Sequence, residues 1–344
     1  MPLNSTDFYK KAPPEKGASS FIYPPTPGNI AFFVEALQAG CVVAIPTETV
    51  YGLSGLALDE KACHSIFSIK GRPLVDPLIV HVNNPEMAAQ LAELPPAFTA
   101  LAEAFWPGPL TLILKKRPIV PDLVTAGKPT VAIRMPRHPV ALELLQGLQA
   151  PLAAPSANPF GYVSPVRAEH VADSFGETVP FILDGGPCDI GLESTILDLT
   201  DDSAPKVLRP GAVSPDQISK VLGKPVPLLN VNLHHEDSAT APGTFSRHYS
   251  PDKELLLFEE GSNPSPSPDD ALVYLQRPTG DSPSSVFWLS EKGDAESVAQ
   301  SLFSLLRQLD RQDFSRILWE LPAATRSGLW LAIRDRMKRA AANK

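Results

Sequence analysis

The stretch Ile69-Lys-Gly-Arg-Pro-Leu-Val-Asp-Pro-Leu-Ile-Val-His-Val82 decides how this chain is read. Two cations, Lys70 and Arg72, flank a glycine and meet a rigid proline. An apolar run over residues 77–82 then reads as a strand ending near His81. Stiffly held cations beside a buried strand suit phosphate or carboxylate, since arginine offers a planar fork and lysine a mobile point charge. The plain alternative for Lys70 is a helix-end charge complementing the dipole. Glycine plus Pro73 and Pro77 is more than that alternative needs. About twenty residues earlier, Pro46-Thr47-Glu48-Thr49-Val50-Tyr51-Gly52-Leu53 forms a polar turn leaving another apolar run. The two together place an anion-handling site at strand ends, where ligands sit in open α/β sheets.

Outward from there, helices and strands alternate. Residues 29–40 read as a helix capped by Asn29 and ended by Gly40. Asp59 caps a second helix running to Lys70, and Asn84 caps one that opens on Pro85. Strands are expected over 41–45, 110–114, 130–134, 152–154, 181–183, 194–199 and 206–208. Helices are expected from about Pro139, near 167–175 and over 215–222. Interleaving of this kind predicts an α/β class with a twisted mixed sheet. Beyond Gly211 the composition shifts to Pro, Asn, His and Ser. Further strands near 254–258, 271–275, 286–289 and 316–320, with helices over 295–309 and 328–342, predict a small Rossmann-like α/β domain. It lacks Gly-x-Gly-x-x-Gly, so no dinucleotide site is inferred. The expected organisation is an N-terminal extension at 1–27, a first domain at 28–212, a linker and candidate lid at 213–252, and a C-terminal domain at 253–344.

Composition narrows the function. A net charge of −8 opposes a general electrostatic grip on nucleic acid. A local basic pocket stays compatible with it, because salt screens charge over roughly 8 Å. The three cysteines are far apart with no metal-type spacing, as expected of small buried hydrophobes in a reducing compartment. No apolar run is long enough to span a membrane. The first 27 residues have neither the apolar core of a signal peptide nor the arginines of a transit peptide, so they read as a loose extension and the chain as cytoplasmic.

Further polar clusters abut apolar runs. Ser156 and Asn158 follow 152–154, Ser164-Pro165 is placed to open a helix, Arg134 ends 130–134, Glu193-Ser194-Thr195 precedes a strand, and Arg209 is locked beside Pro210. The linker holds Phe245, Arg247, His248 and Tyr249 close together, which a plain spacer does not require. There is no Walker motif, no nucleophile elbow and no His-x-x-x-His metal pair. Cations, hydroxyls and amides without a nucleophile suit catalysis by positioning and charge stabilisation, as in phosphoryl or nucleotidyl transfer.

Residues 46–53, Lys70-Gly71-Arg72-Pro73, 77–82, 130–136, Ser156-Ala157-Asn158, Ser194-Thr195 and 208–211 together resemble the YrdC/Sua5 family, the threonylcarbamoyl-AMP synthases. The linker patch over 242–251 and the end of the chain resemble the long, two-domain Sua5 type. The resemblance implies a YrdC-like sheet and a nucleotidyltransferase that makes threonylcarbamoyl-AMP and pyrophosphate from L-threonine, bicarbonate and ATP, with Mg²⁺. The product would feed a separate transferase that modifies adenosine 37 of tRNA; direct tRNA binding is left open. Carried over, Lys70 and Arg72 would neutralise the triphosphate and the carboxylated intermediate. Thr49, His81, Arg134 and Ser194 would line the threonine site. Arg72, Asp76, Thr130, Ser156, Asn158, Ser164, Val166, Arg209 and Tyr249 would hold ATP, with no protein-held metal. Asp76 stands where the family often has Asn, so it would contact ATP unusually or draw Mg²⁺. Two rivals are a non-catalytic double-stranded RNA-binding module and a related YrdC-type carbamoyl-adenylate enzyme of hydrogenase maturation. The latter are far longer and carry zinc-finger and acylphosphatase parts absent here.

Overall fold

A computed structural model of the chain describes residues 5–17, 20–229, 248–262 and 264–342. The strands, in chain order, are β1 (Ile22–Tyr23), β2 (Val43–Ile45), β3 (Gly52–Leu56), β4 (Ile79–His81), β5 (Leu110–Lys115), β6 (Thr130–Arg134), β7 (Leu152–Ala153), β8 (Ile182–Leu183), β9 (Thr195–Asp198) and β10 (Lys206–Arg209). They form one mixed sheet in the order β1-β8-β2-β3-β7-β4-β6-β5-β9-β10. After them, β11 (Glu254–Glu259), β12 (Asp270–Gln276), β13 (Val286–Ser290) and β14 (Arg316–Leu321) make a second sheet, β11-β14-β12-β13. Every pairing in that second sheet is parallel, so each strand returns through a crossover.

Local chemistry sets several boundaries as expected. Asp59 accepts hydrogen bonds from the Lys61 and Ala62 amides, and the helix Glu60–Lys70 ends on Gly71 at φ +60°, a left-handed turn suited to glycine. That turn aims Lys70 and Arg72 at the sheet. Pro85 starts a helix capped by Asn84, and Ser214 and Gln217 make a reciprocal capping box for Pro215–Leu222.

Other expectations change. The first long helix is Pro27–Gln38, capped by Thr26. Asn29 is instead fully buried, and its side chain bonds the Glu15 and Pro24 backbone. That pairing ties down residues expected to be loose. Phe8 is 2% exposed and packs its ring against Phe32 and Phe181, while Tyr9 exchanges hydrogen bonds with Val42. β1 then adds to the sheet edge beside β8. β3 was not foreseen: Gly-Leu-Ser-Gly-Leu has weak strand propensity and is held by neighbours on both sides, β2 and β7. The helix expected to open at Ser164 starts at Ala168. Residues 213–229 are no free linker, since Leu229 donates to the Val207 carbonyl and Ile218 is buried. The aromatic and cationic patch at 241–247 lies outside the described residues; His248 and Tyr249 are within them.

The two units are packed together. Arg307 reaches across to the backbone carbonyls of Val163, Ser164 and His170, and Tyr162 donates to Asp310 at 2.7 Å. Among the described residues, no helix is long and apolar enough to cross a membrane.

Candidate active site

The cleft forms where strand ends and two turns converge. His81 and Arg134 close the parallel strands β4 and β6 and are register partners, so both side chains emerge side by side. The turn 46–51 folds over them. Thr47 holds that turn by donating to the Val50 carbonyl at 2.6 Å, and Thr49 accepts from Arg134 Nη1 at 2.9 Å. Arg134 also ion-pairs with Glu48 at 2.7 Å, and both are buried.

A second group comes from β9 and β10. Arg209 donates from Nε and Nη2 to the Ser194 carbonyl, at 3.1 and 3.0 Å, and from Nη2 to Ser194 Oγ at 3.2 Å. Ser194 Oγ also lies 2.7 Å from Thr111 Oγ1, so its position is set from two strands. The third group is the loop after β7. Gly52 bridges to Ser156, and Lys70 Nζ donates to the Ser156 and Asn158 carbonyls at 2.5 Å each. Arg72 pairs with Asp76 at 2.8 Å and donates to the Pro77 carbonyl at 2.8 Å.

These groups enclose about 540 Å³ of space, part of it continuous with solvent. Of the residues singled out from sequence, Thr49, Arg72, His81, Arg134, Ser156, Ser194, Arg209 and Tyr249 line it. The others stand behind the lining. Lys70 tethers the 156–158 loop. Asp76 balances Arg72, so the contact with ATP or Mg²⁺ considered for it gives way to that pairing. Asn158 Nδ2 bonds the Pro159 and Tyr162 carbonyls, Ser164 Oγ donates to Glu193 at 2.5 Å, and the Val166 amide points at His170 Nδ1 at 3.3 Å. Thr130 is not brought in. It opens β6, at the far end from Arg134, about 13 Å away at strand rise.

The linker end seals one wall. Tyr249 takes φ +65° and is fully buried, stacked on Phe303 of the C-terminal unit with ring centroids 5.5 Å apart. His248 packs between Phe160 and Tyr249. Among the described residues, neither the Tyr249 hydroxyl nor His248 Nδ1 has a hydrogen-bond partner.

The electrostatics are those of a site prepared for anions. Burial, joined by the Arg72 cation, holds the Lys70 ammonium well below the usual lysine value. Burial also lowers Arg72 and Arg209. Burial, then Arg134, brings His81 down to about 3, so its imidazole is neutral. An incoming phosphate or carboxylate would relieve this crowding of positive charge.

Sequence reasoning missed three residues. Glu48 sits inside a turn that was singled out, but only its burial against Arg134 marks it. Glu193 was seen only as a neighbour of Ser194, yet its two oxygens bond Ser164 and Arg336. Arg336 lies in a helix read as basic-ended and is fully buried; no local pattern distinguishes it from the half-buried Arg334 or the exposed Lys338 beside it.

The comparisons with known proteins agree with this fold. Residues 35–211 match a family model described as telomere recombination, Sua5/YciO/YrdC type, and residues 213–342 match one described as the C-terminal domain of threonylcarbamoyl-AMP synthase. The threonylcarbamoyl-AMP synthase of Pyrococcus abyssi is 40% identical over 321 residues, covering 88% of this chain and 91% of that one. That of Bacillus subtilis is 37% identical over 335 residues, covering 92% and 94%. A crystal structure of P. abyssi Sua5 complexed with L-threonine superposes with a TM-score of 0.82 at 39% identity, covering 91% of this chain and 94% of that one. The chain belongs to the Sua5/YrdC family of threonylcarbamoyl-AMP synthases, in its two-domain form.

Proposed function

We propose that the chain joins L-threonine, bicarbonate and ATP into threonylcarbamoyl-AMP, releasing pyrophosphate. The observation that carries this reading is the convergence of Arg72, Arg134 and Arg209, with Lys70 behind them, on one cleft also lined by Thr49, His81, Ser156 and Ser194. A relative of 39% identity was crystallised with L-threonine. Arg134, with Thr49 and His81 beside it, suits an amino acid whose carboxylate pairs with the guanidinium. Arg72, Arg209 and Lys70 suit a triphosphate, and Ser156 and Ser194 supply hydroxyls between the two.

The chemistry then needs placement more than a nucleophile from the protein. The threonine amine attacks the carbon of bicarbonate, water leaves, and a carbamate forms. Its carboxylate oxygen attacks the α-phosphorus of ATP and the bond to pyrophosphate breaks, leaving the mixed anhydride. The His81 imidazole stays neutral, so it can hydrogen-bond the amino acid without adding positive charge beside Arg134. Water exclusion protects both the carbamate and the anhydride, and His248 and Tyr249 wall the cleft in the manner this requires. An acyl-adenylate of this kind suits a separate transferase acting on a tRNA adenosine.

Mg²⁺ is expected with the nucleotide. The carboxylates Asp76, Glu48 and Glu193 are each matched to an arginine, and among the described residues no cluster of three metal-binding side chains occurs. With these carboxylates held by arginines, Mg²⁺ would enter as part of the ATP substrate.

The test is pyrophosphate release from ATP with threonine and bicarbonate each omitted in turn. Release that needs both supports the reading. Release independent of either rejects it, as would nucleic-acid binding that falls steeply with salt in a protein without turnover.

A further inference from the structure

We propose that Arg336 of the C-terminal unit is a positioning residue for the cleft of the first unit, acting through the buried carboxylate of Glu193. This deepens the function proposed above and rests on it. Arg336 is fully buried in the helix Leu329–Ala340. Its Nε donates to Glu193 Oε2 at 2.8 Å, and its guanidinium carbon lies 5.3 Å from the centroid of the Tyr249 ring. Glu193 Oε1 accepts from Ser164 at 2.5 Å. The next residue is Ser194, whose carbonyl and hydroxyl take the Arg209 guanidinium. One arginine from the second unit thus fixes both a serine behind the cleft and the peptide that seats Arg209 within it. The same arginine backs the aromatic ring that closes the wall.

The charges around Glu193 decide how this works. Facing it are Arg336 from the last helix, with Asp335 paired to it, Arg209 from the end of β10, and the Tyr249 hydroxyl. Arg336 bonds the Glu193 carboxylate directly, and Arg209 adds an attraction through space. Burial opposes charge on Arg336, and Tyr249, Glu193 and Asp335 together outweigh it. Asp335 bonds Arg336 Nη1 at 2.7 Å and also accepts from Arg339, which fixes the guanidinium from behind. Taking Arg336 away leaves the buried carboxylate without its bonded cation, which favours protonation or rearrangement. Either change loosens Ser164 and the 193–194 peptide. A relative from Mycobacterium tuberculosis, 41% identical over 196 residues that are 57% of this chain and 89% of its own, matches only over a length close to that of the first unit. The Arg336 contact is therefore an addition that comes with the second unit.

The experiment measures KM and kcat for ATP and threonine in the full chain with Arg336→Met, Arg336→Lys, Glu193→Gln and Arg336→Met/Glu193→Gln, with equilibrium binding of each substrate by calorimetry. For Arg336→Met, KM and Kd should rise roughly tenfold or more while kcat changes less, as expected of lost coupling between contacting groups. Activity should also fall on the acid side of the profile, and the double variant should lack that fall because it has no carboxylate to protonate. Arg336→Lys should recover part of the affinity. Wild-type KM, Kd and pH profile in soluble Arg336→Met would overturn the proposal, because a merely structural role lowers the active fraction and leaves those quantities alone. If Arg336→Met does not fold, Arg336→Lys and the double variant decide: unchanged affinity in both overturns it. Calorimetric affinities stand apart from turnover, so an absence of threonine-dependent pyrophosphate release in the wild type would reject the proposed reaction without being mistaken for failure of the Arg336 link.

Discussion

Arg134 Nη2 and Glu48 Oε1 stand 2.7 Å apart with side chains 4% and 1% exposed, on two segments eighty-six residues apart in sequence. The pair keeps a buried guanidinium charged and aimed before any ligand arrives. Removing one partner leaves the other as an uncompensated buried charge, which costs about 3–5 kcal/mol. Glu48→Gln should therefore lower the unfolding free energy read from urea titration by an amount in that range. A threonine carboxylate would then act as the missing counter-charge. Saturating threonine should raise the melting temperature of Glu48→Gln by more than it raises that of the wild type. Equal increments would mean that Arg134 is not where the carboxylate binds.

Lys70 and Arg72 have different supporting roles, and their alanine variants should differ in consequence. At an effective dielectric near 20, a cation about 4 Å from a phosphate charge is worth on the order of 4 kcal/mol before desolvation. Each substitution should reduce product formation by about 10³-fold. Lys70 also satisfies two loop carbonyls, at Ser156 and Asn158, so Lys70→Ala should cost about 1–3 kcal/mol of stability as well. Arg72→Ala leaves Asp76 buried without its arginine and should cost more. Product formation by chromatography and unfolding by urea separate the two effects. Near-normal turnover in either variant would remove the anion grip.

The cleft was partly legible because its strongest signals are local. Lys70, Gly71 and Arg72 fall within one helix end, and Asp59 and Gly71 announce that helix's limits by capping chemistry alone. Arg134 and Arg209 each end an apolar run, so a strand assignment places them too. What stayed hidden is non-local. Glu193 and Arg336 are 143 residues apart, and neither sits in a pattern that separates a buried charge from a solvated one. Asn29 misled for a related reason: asparagine suits a helix cap, but Thr26 before Pro27 suits it equally, and the distant Glu15 backbone claims the asparagine. Phe8 lies in a segment whose composition resembles a tail, and only the facing rings of Phe32 and Phe181 give it a place.

Acid should unfold the chain earlier than its carboxylates alone would dictate. Burial, then the nearby Arg134 and Arg307 cations, holds His81 at about 3 and His170 at about 4, and burial holds His248 well below the ordinary value. Once unfolded, each titrates near 6.5. Between about 6.5 and 4 the unfolded state then binds more protons, so stability falls as pH falls, and the term vanishes above 6.5. Each of these histidines contributes up to about 1.4 kcal/mol per pH unit in that window, the partly buried His170 included. Urea titrations across it should show a slope near three protons for these groups together, and His170→Gln should flatten the slope by up to one. An unchanged slope in His170→Gln would mean that this histidine is already charged in the folded chain.

Gly191 offers a way to part the two units without touching a cleft residue. Its φ is +78°, and an added Cβ would stand 2.6 Å from the Ala299 carbonyl oxygen and 2.7 Å from Gln300 Cα. Both neighbours are backbone atoms of the helix Ala295–Arg311, so the clash cannot be relieved by a side-chain rotation. Beside it, Gln300 Nε2 donates to the Asp189 carbonyl at 2.5 Å, fixing the same approach from the other side. Gly191→Ala must shift the helix away or strain the 189–192 loop. The helix carries Phe303, on which Tyr249 stacks, so displacement reaches the wall of the cleft. The expected result is faster proteolytic cleavage between the units, a larger radius of gyration in solution scattering and reduced turnover, with each unit retaining its own unfolding transition. Unaltered scattering and turnover in Gly191→Ala would show that the close approach is dispensable. The wall formed by Tyr249 would then have to hold its position through the remaining contacts of Arg307, Asp310 and Arg336.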